Sequence, residues 1–233
     1  MSVRWIVMPG MEGIGQFRSF REALGGETDC RALSYPPDLP LGYDALTERA
    51  RESLRQEADY ILIAESFSGP IAIRLAAERP PGLRALVFAA SFCASPVRGM
   101  PRAMLRWLGA SLFRMRPPLF LVKHFLIGSG APQLLVDEIY ASIDQVSAET
   151  FALRLQEILR VNVCASLARV EVPALYLQAL RDRLVSERSA QEVRTMCPHM
   201  ELEQIEAPHM LLRSHPIPAI AAIRDFLGRH KIS

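Results

Sequence analysis

The chain of 233 residues holds only four cysteines, and none forms a Cys-x-x-Cys pair. Cys30, Cys93, Cys164 and Cys197 are so widely spaced that they read as reduced thiols of a cytosolic protein, not as a disulfide framework. No cluster of cysteine and histidine has metal-ligand spacing, so no metal is expected. Charge of one sign is also missing. The net charge is only +2, so nothing in it predicts the clustered basic face that nucleic acid requires. Long apolar runs are absent too. The most apolar stretch, 119–127, is interrupted by Lys123 and His124 and falls short of the ~20 residues that span a bilayer. The N-terminus enters the apolar run 5–8 with no charged leader or cleavage site, so a cytoplasmic location without stable membrane insertion is expected.

What the chain does have is apolar residues, 50% of the total, enough for one sizeable core. Short apolar runs of strand length occur at 5–8, 30–34, 60–64, 85–89, 174–178 and 201–205. Helical patterns separate them at 17–24, 43–57, 70–78 and 218–229. Such alternation predicts a mostly parallel sheet covered by helices on both faces. Between residues 90 and 169 the alternation breaks, and only helical patterns appear, at 102–114, 119–127, 132–143 and 148–163. The expected organisation is an α/β core formed by 1–91 and 169–233, with a helical lid, 92–168, inserted into it.

The stretch with chemical content is Tyr60-Ile61-Leu62-Ile63-Ala64-Glu65-Ser66-Phe67-Ser68-Gly69-Pro70. An apolar strand runs into a serine flanked two residues away on each side by small residues, and a helix follows. That layout suits a nucleophile elbow, where close backbone approach demands small neighbours. An incidental serine in a strand-to-helix turn is the plainer alternative. On this motif the chain resembles the α/β-hydrolase superfamily over nearly its whole length. It departs from the usual Gly-x-Ser-x-Gly at both outer positions, with Ala64 and Ser68.

The superfamily's order is nucleophile, acid, histidine. Asp182 follows the run 174–178 in Ala179-Leu180-Arg181-Asp182-Arg183-Leu184-Val185, which resembles the acid loop. His209 follows the run 201–205 in Glu206-Ala207-Pro208-His209-Met210, which resembles the histidine loop. The resemblance therefore implies Ser66 as nucleophile, His209 as base and Asp182 as the acid that orients it. It also implies an oxyanion hole from the backbone N–H of Phe67 and, in the loop Pro9-Gly10-Met11-Glu12-Gly13-Ile14-Gly15, that of Met11. The glycines of this loop do not match a dinucleotide fingerprint and no Walker lysine follows, so no cofactor is expected.

Other residues compete less well. His199 precedes the last strand, His215 leads into the last helix, His124 lies in the lid and His230 in the tail. Cys93 and Ser91 lack an elbow setting, and Glu65, beside the nucleophile, is given a supporting role at most. Within the lid, Phe92, Trp107, Phe113 and Phe125 are candidates for an apolar acyl pocket, although lid packing explains such residues equally well. The lid also carries Arg102, Arg106, Arg114 and Arg116, with no acid before Asp137. This is either a solvated face or a docking surface for an acidic partner such as an acyl carrier protein.

These features point to a serine carboxylic-ester hydrolase acting on an apolar acyl group. The compact form and basic lid are similar to carboxylesterases that demethylate pimeloyl-acyl-carrier-protein esters in biotin synthesis. Acyl thioesterase is the nearest alternative, and a small-ligand receptor on the same fold is the alternative outside enzymes.

Overall fold

The structure, a computed structural model, describes residues 3–97 and 110–232. Six strands form one parallel sheet in the order β2-β1-β3-β4-β5-β6. They are β1 (Arg4–Met8), β2 (Cys30–Ala32), β3 (Tyr60–Glu65), β4 (Leu83–Ala89), β5 (Ala174–Ala179) and β6 (Glu201–Ile205). All pairings are parallel, as a chain that inserts a helix between successive strands requires.

Side chains alternate across each strand, and both faces are buried. Ile6, Met8, Leu62, Ala64, Leu86 and Phe88 point into one core. It is closed by the helices Tyr43–Leu54, Gly69–Ala77 and Glu187–Met196. Trp5, Val7, Ile61, Ile63, Ala85 and Val87 point into the other. It is closed by Arg18–Leu24 and Pro216–Arg229, which contribute Phe20, Leu24, Ile220, Ile223 and Phe226. Glu187–Met196 is a helix that the sequence reading passes over. Only Ser189, Ala190 and Val193 are buried on it, too narrow a stripe to stand out.

Among the described residues between β4 and β5 there is no strand, only an isolated bridge between Ala94 and Asn162. The segment contains a short 3-10 turn (Ala110–Phe113), Leu119–Val122 continuing into a π-helix (Lys123–Ile127), and the helices Gln133–Asp144, Ala148–Arg160 and Cys164–Leu167. Ser147 caps Ala148–Arg160 by accepting from the N–H of Thr150 at 3.2 Å. The buried stripe of that helix runs through Phe151, Ala152, Arg154 and Ile158. An arginine thus lies on the buried face of this helix.

The expectation of four reduced thiols is corrected here. Cys93 and Cys164 form a disulfide, with Cα atoms 5.0 Å apart, and Cys30 and Cys197 are free. Their 71-residue separation hides a local contact. The chain returns beside its own exit, where Val163 N–H donates to Cys93 O at 2.7 Å and Ser95 N–H to Val161 O at 3.0 Å.

Candidate active site

Strand β3 ends at Glu65, and Ser66 turns the chain with φ 47°, a left-handed conformation that is costly for a residue with a Cβ. Contacts around the elbow hold it there. The Ser66 carbonyl accepts from Ser91 Oγ at 2.6 Å, and Ser91 O in turn accepts from Tyr176 O–H at 2.6 Å. A Cβ at Gly69 would sit 1.9 Å from Ser91 Oγ, so glycine is required for this approach. Ser68, one of the two departures from the usual elbow, is a crosslink. Its hydroxyl donates to Pro9 O and accepts from Tyr35 O–H at 2.6 Å, joining the elbow to the loop after β1.

Ser66 Oγ donates to Nε2 of His209 at 2.9 Å, and Nδ1–H of His209 donates to Asp182 Oδ2 at 2.7 Å. The carboxylate is fixed through its other oxygen, which accepts from the N–H groups of Leu184 at 2.8 Å and Val185 at 3.0 Å. The structure therefore joins three residues that lie far apart in the sequence into one hydrogen-bonded chain. Each stands just beyond the C-terminal end of its strand, β3, β5 or β6. Burial works against the imidazolium of His209, but Asp182, Glu65 and Glu12 raise its proton affinity above the ordinary histidine range. Such a chain can deprotonate a serine hydroxyl and hold the resulting imidazolium.

The loop after β1 makes a turn in which Gly13 N–H donates to Gly10 O at 3.0 Å, with Gly13 at φ 71°. The peptide preceding Met11 is trans, so its N–H points opposite to the Gly10 carbonyl, out of the turn. The carbonyls of Met11 and Glu12 accept from Arg154 Nη1 at 2.9 and 3.0 Å, and Pro36 O accepts from Nη2 at 2.9 Å. Phe67 is buried behind the elbow, its ring stacked on Tyr43 at 4.7 Å. Sequence reasoning missed Arg154. The signal was an arginine at the i, i+3, i+7 spacing of Phe151, Arg154 and Ile158.

The histidine loop is gripped from the inserted segment. Met210 N–H donates to Leu126 O at 2.9 Å, and Met210 packs with Val122, Ile127, Leu135, Val136 and Ile139. Of the candidate pocket residues, Phe92 lies in the core of the α/β unit, 1% exposed. Phe113 stacks on Phe151 at 5.4 Å beside Ile14, Val146 and Met11. Phe125 meets His124 edge-on at 4.7 Å. Arg114 is exposed, and Arg116 is paired with Asp144 and lies over the Tyr140 ring. Trp107, Arg102 and Arg106 lie outside the described residues. His199 and His230 stand away from this hydrogen-bonded chain, on Val172 O and Glu201. No helix among the described residues is long and apolar enough to cross a membrane, and no group of three potential metal ligands occurs among them.

A parallel sheet with a strained serine elbow after its third strand defines an α/β hydrolase. The chain belongs to the serine aminopeptidase S33 family, whose model matches residues 41–212. Similar solved structures include a bromoperoxidase from Bacillus anthracis, 16% identical with a TM-score of 0.82 over 98% of this chain and 92% of that one. An esterase from Exiguobacterium antarcticum is 14% identical, with a TM-score of 0.82 over 97% and 92%. An enol-lactonase from Burkholderia xenovorans is 13% identical, with a TM-score of 0.74 over 98% and 92%. At such identities the likeness is one of fold. A search of curated proteins finds no significant match.

Proposed function

We propose that the protein hydrolyses carboxylic esters through an acyl-enzyme on Ser66. The hydrogen-bonded chain Asp182–His209–Ser66, set on a left-handed serine, carries this reading. Ser66 Oγ attacks the ester carbonyl carbon while its proton passes to His209 Nε2. The N–H groups of Phe67 and Met11 are assigned to the tetrahedral oxyanion. Collapse breaks the bond to the alcohol oxygen, which takes the proton from His209. Water then attacks the acyl-enzyme by the same route, with His209 again as base, and releases the acid. Asp182 holds the Nδ1–H tautomer and stabilises the imidazolium throughout.

An apolar acyl group is the substrate part we favour, because Phe113, Ile14, Val146 and Phe151 form an apolar cluster against Met11. For the carrier-bearing end of the acyl group, away from the ester that is cleaved, Arg114, Met115 and Phe120 are all exposed. This supports docking of an acidic carrier bearing the acyl ester. A fluorophosphonate probe tests the chemistry: it should label the native protein and not Ser66→Ala. A folded wild type that never labels overturns the mechanism. A chain-length series of methyl esters, run free, as thioesters and on an acyl carrier protein, tests the substrate. We expect the carrier-borne ester to be turned over fastest and to lose that preference in Arg114→Glu. Faster thioester cleavage would make the protein a thioesterase instead.

A further inference from the structure

Three charged side chains stand behind the proposed triad and take no part in the steps above. Glu65 ends β3 directly before Ser66, and its side chain is 1% exposed. Arg213 lies in the short helix Leu211–Ser214, four residues after His209, and its side chain is fully buried. Glu12 belongs to the loop after β1, next to Met11. Arg213 Nη2 donates to Glu12 Oε1, and its Nε lies 3.7 Å from Glu65 Oε2. The guanidinium also sits over the Phe17 ring, 4.6 Å from its centre. One buried arginine thus faces two buried carboxylates, one from the nucleophile loop and one from the oxyanion loop.

The charges do not cancel. With both carboxylates ionised the cluster holds one negative charge in excess, and neither Glu65 oxygen has a hydrogen-bond donor among the described residues. A bare carboxylate so buried is costly unless a positive charge answers it. The groups facing Glu65 are Arg213, Glu12, His209 and, from the helix Gln133–Asp144, Glu138. Of these, only His209 can gain a proton and become positive.

We propose that Glu65 is a positioning residue for His209: set beside Arg213, which Glu12 anchors, its carboxylate favours the imidazolium form at the moment the proton of Ser66 arrives. The proposal rests on the hydrolase reading above. Burial pushes the Glu65 carboxyl up to about 7, against the pull of Arg213, and Glu65 in turn helps to raise the proton affinity of His209, so the two titrations are linked. The carboxylate acts through charge and touches no reacting atom, unlike Asp182, which holds the ring by a hydrogen bond.

The test is the pH dependence of kcat/KM on p-nitrophenyl acetate for wild type, Glu65→Gln and Glu65→Asp. The rate rises with pH as His209 loses its proton. Glutamine keeps the shape and removes the charge, so the midpoint should fall by about half a pH unit or more, with a plateau several-fold lower. Aspartate, which retains the charge, should restore the wild-type midpoint. A folded Glu65→Gln whose midpoint stays within about 0.2 unit of wild type, where a shift of one unit is ~1.4 kcal/mol, overturns the proposal. NMR titration of the His209 imidazole in the wild-type protein needs neither a variant nor turnover. Two inflections are expected there, and a single-step curve overturns the coupling even if Glu65→Gln fails to fold. Absent fluorophosphonate labelling together with a two-step His209 titration would sink the hydrolase reading and leave the coupling standing.

Discussion

Arg154 donates to the carbonyl of Met11 across 143 residues of chain, at 2.9 Å. The guanidinium is buried, and its hydrogen bonds to Met11, Glu12 and Pro36 all end on backbone oxygens. Burial lowers its proton affinity to about 10, with no hydrogen-bonded carboxylate to offset it. Arg154→Met would strand three carbonyls, each worth ~1–3 kcal/mol if left unpaired. We expect urea unfolding to report a loss of roughly 3 kcal/mol or more, and kcat on a simple ester to fall about tenfold or more as Met11, the proposed oxyanion donor, drifts. Unchanged kcat in a destabilised protein would mean that the loop holds itself.

Asp182→Asn isolates the proposed acid. Asparagine can still accept from Leu184 and Val185 through its carbonyl oxygen, so the loop keeps its anchor. It presents an N–H to His209 and favours the wrong tautomer, for which ~10⁴-fold in kcat is the expected scale. Steady-state kinetics with a melting curve on the same sample checks both halves. A variant that turns over like wild type would place the acid elsewhere.

Glu65 also makes stability depend on pH. Its folded proton affinity, about 7, exceeds the ordinary value of 4.5. Between these two values the folded state binds more protons than the unfolded one, so stability falls as pH rises. The contribution is complete below 4.5 and gone above about 7. Glu65→Gln removes that slope, and the variant should gain on wild type by on the order of a few kcal/mol from pH 5 to pH 8. Parallel curves for the two proteins in denaturant titrations across that range would contradict the buried charge.

The Cys93–Cys164 bond closes the neck of a segment 71 residues long. Constraining a loop of that size in the unfolded chain is worth about 4 kcal/mol by the chain-entropy estimate. The double variant Cys93→Ala/Cys164→Ala should therefore melt well below wild type. Thiol titration in denaturant should find two reactive groups before reduction and four after. Alkylation at lysis extends the test to the cell: four thiols trapped would mean a reducing compartment.

Much of this architecture was legible in the sequence because strand burial leaves a one-dimensional trace. All six apolar runs became strands with ends within two residues of expectation. Ser66, Asp182 and His209, which the structure joins by hydrogen bonds, could be singled out for the same reason, since each follows a readable strand. What stayed hidden depends on contacts across the chain. Cys93 and Cys164 meet only because the Ala94–Asn162 bridge returns the chain to its exit. Arg154 and Arg213 were passed over because a charged residue is ordinarily placed at the surface. Their apolar neighbours in Phe151-Ala152-Leu153-Arg154 and Leu211-Leu212-Arg213 were the available hint.

The φ of 47° at Ser66 sets reactivity and durability against each other at a single torsion. Glycine adopts that conformation without the ~1–2 kcal/mol that a Cβ incurs, whereas alanine does not. The difference in unfolding free energy between Ser66→Gly and Ser66→Ala is therefore a gauge of the tension stored beneath the proposed nucleophile. Selection for robustness alone would drift toward glycine there. A serine held in that posture records a requirement other than folding.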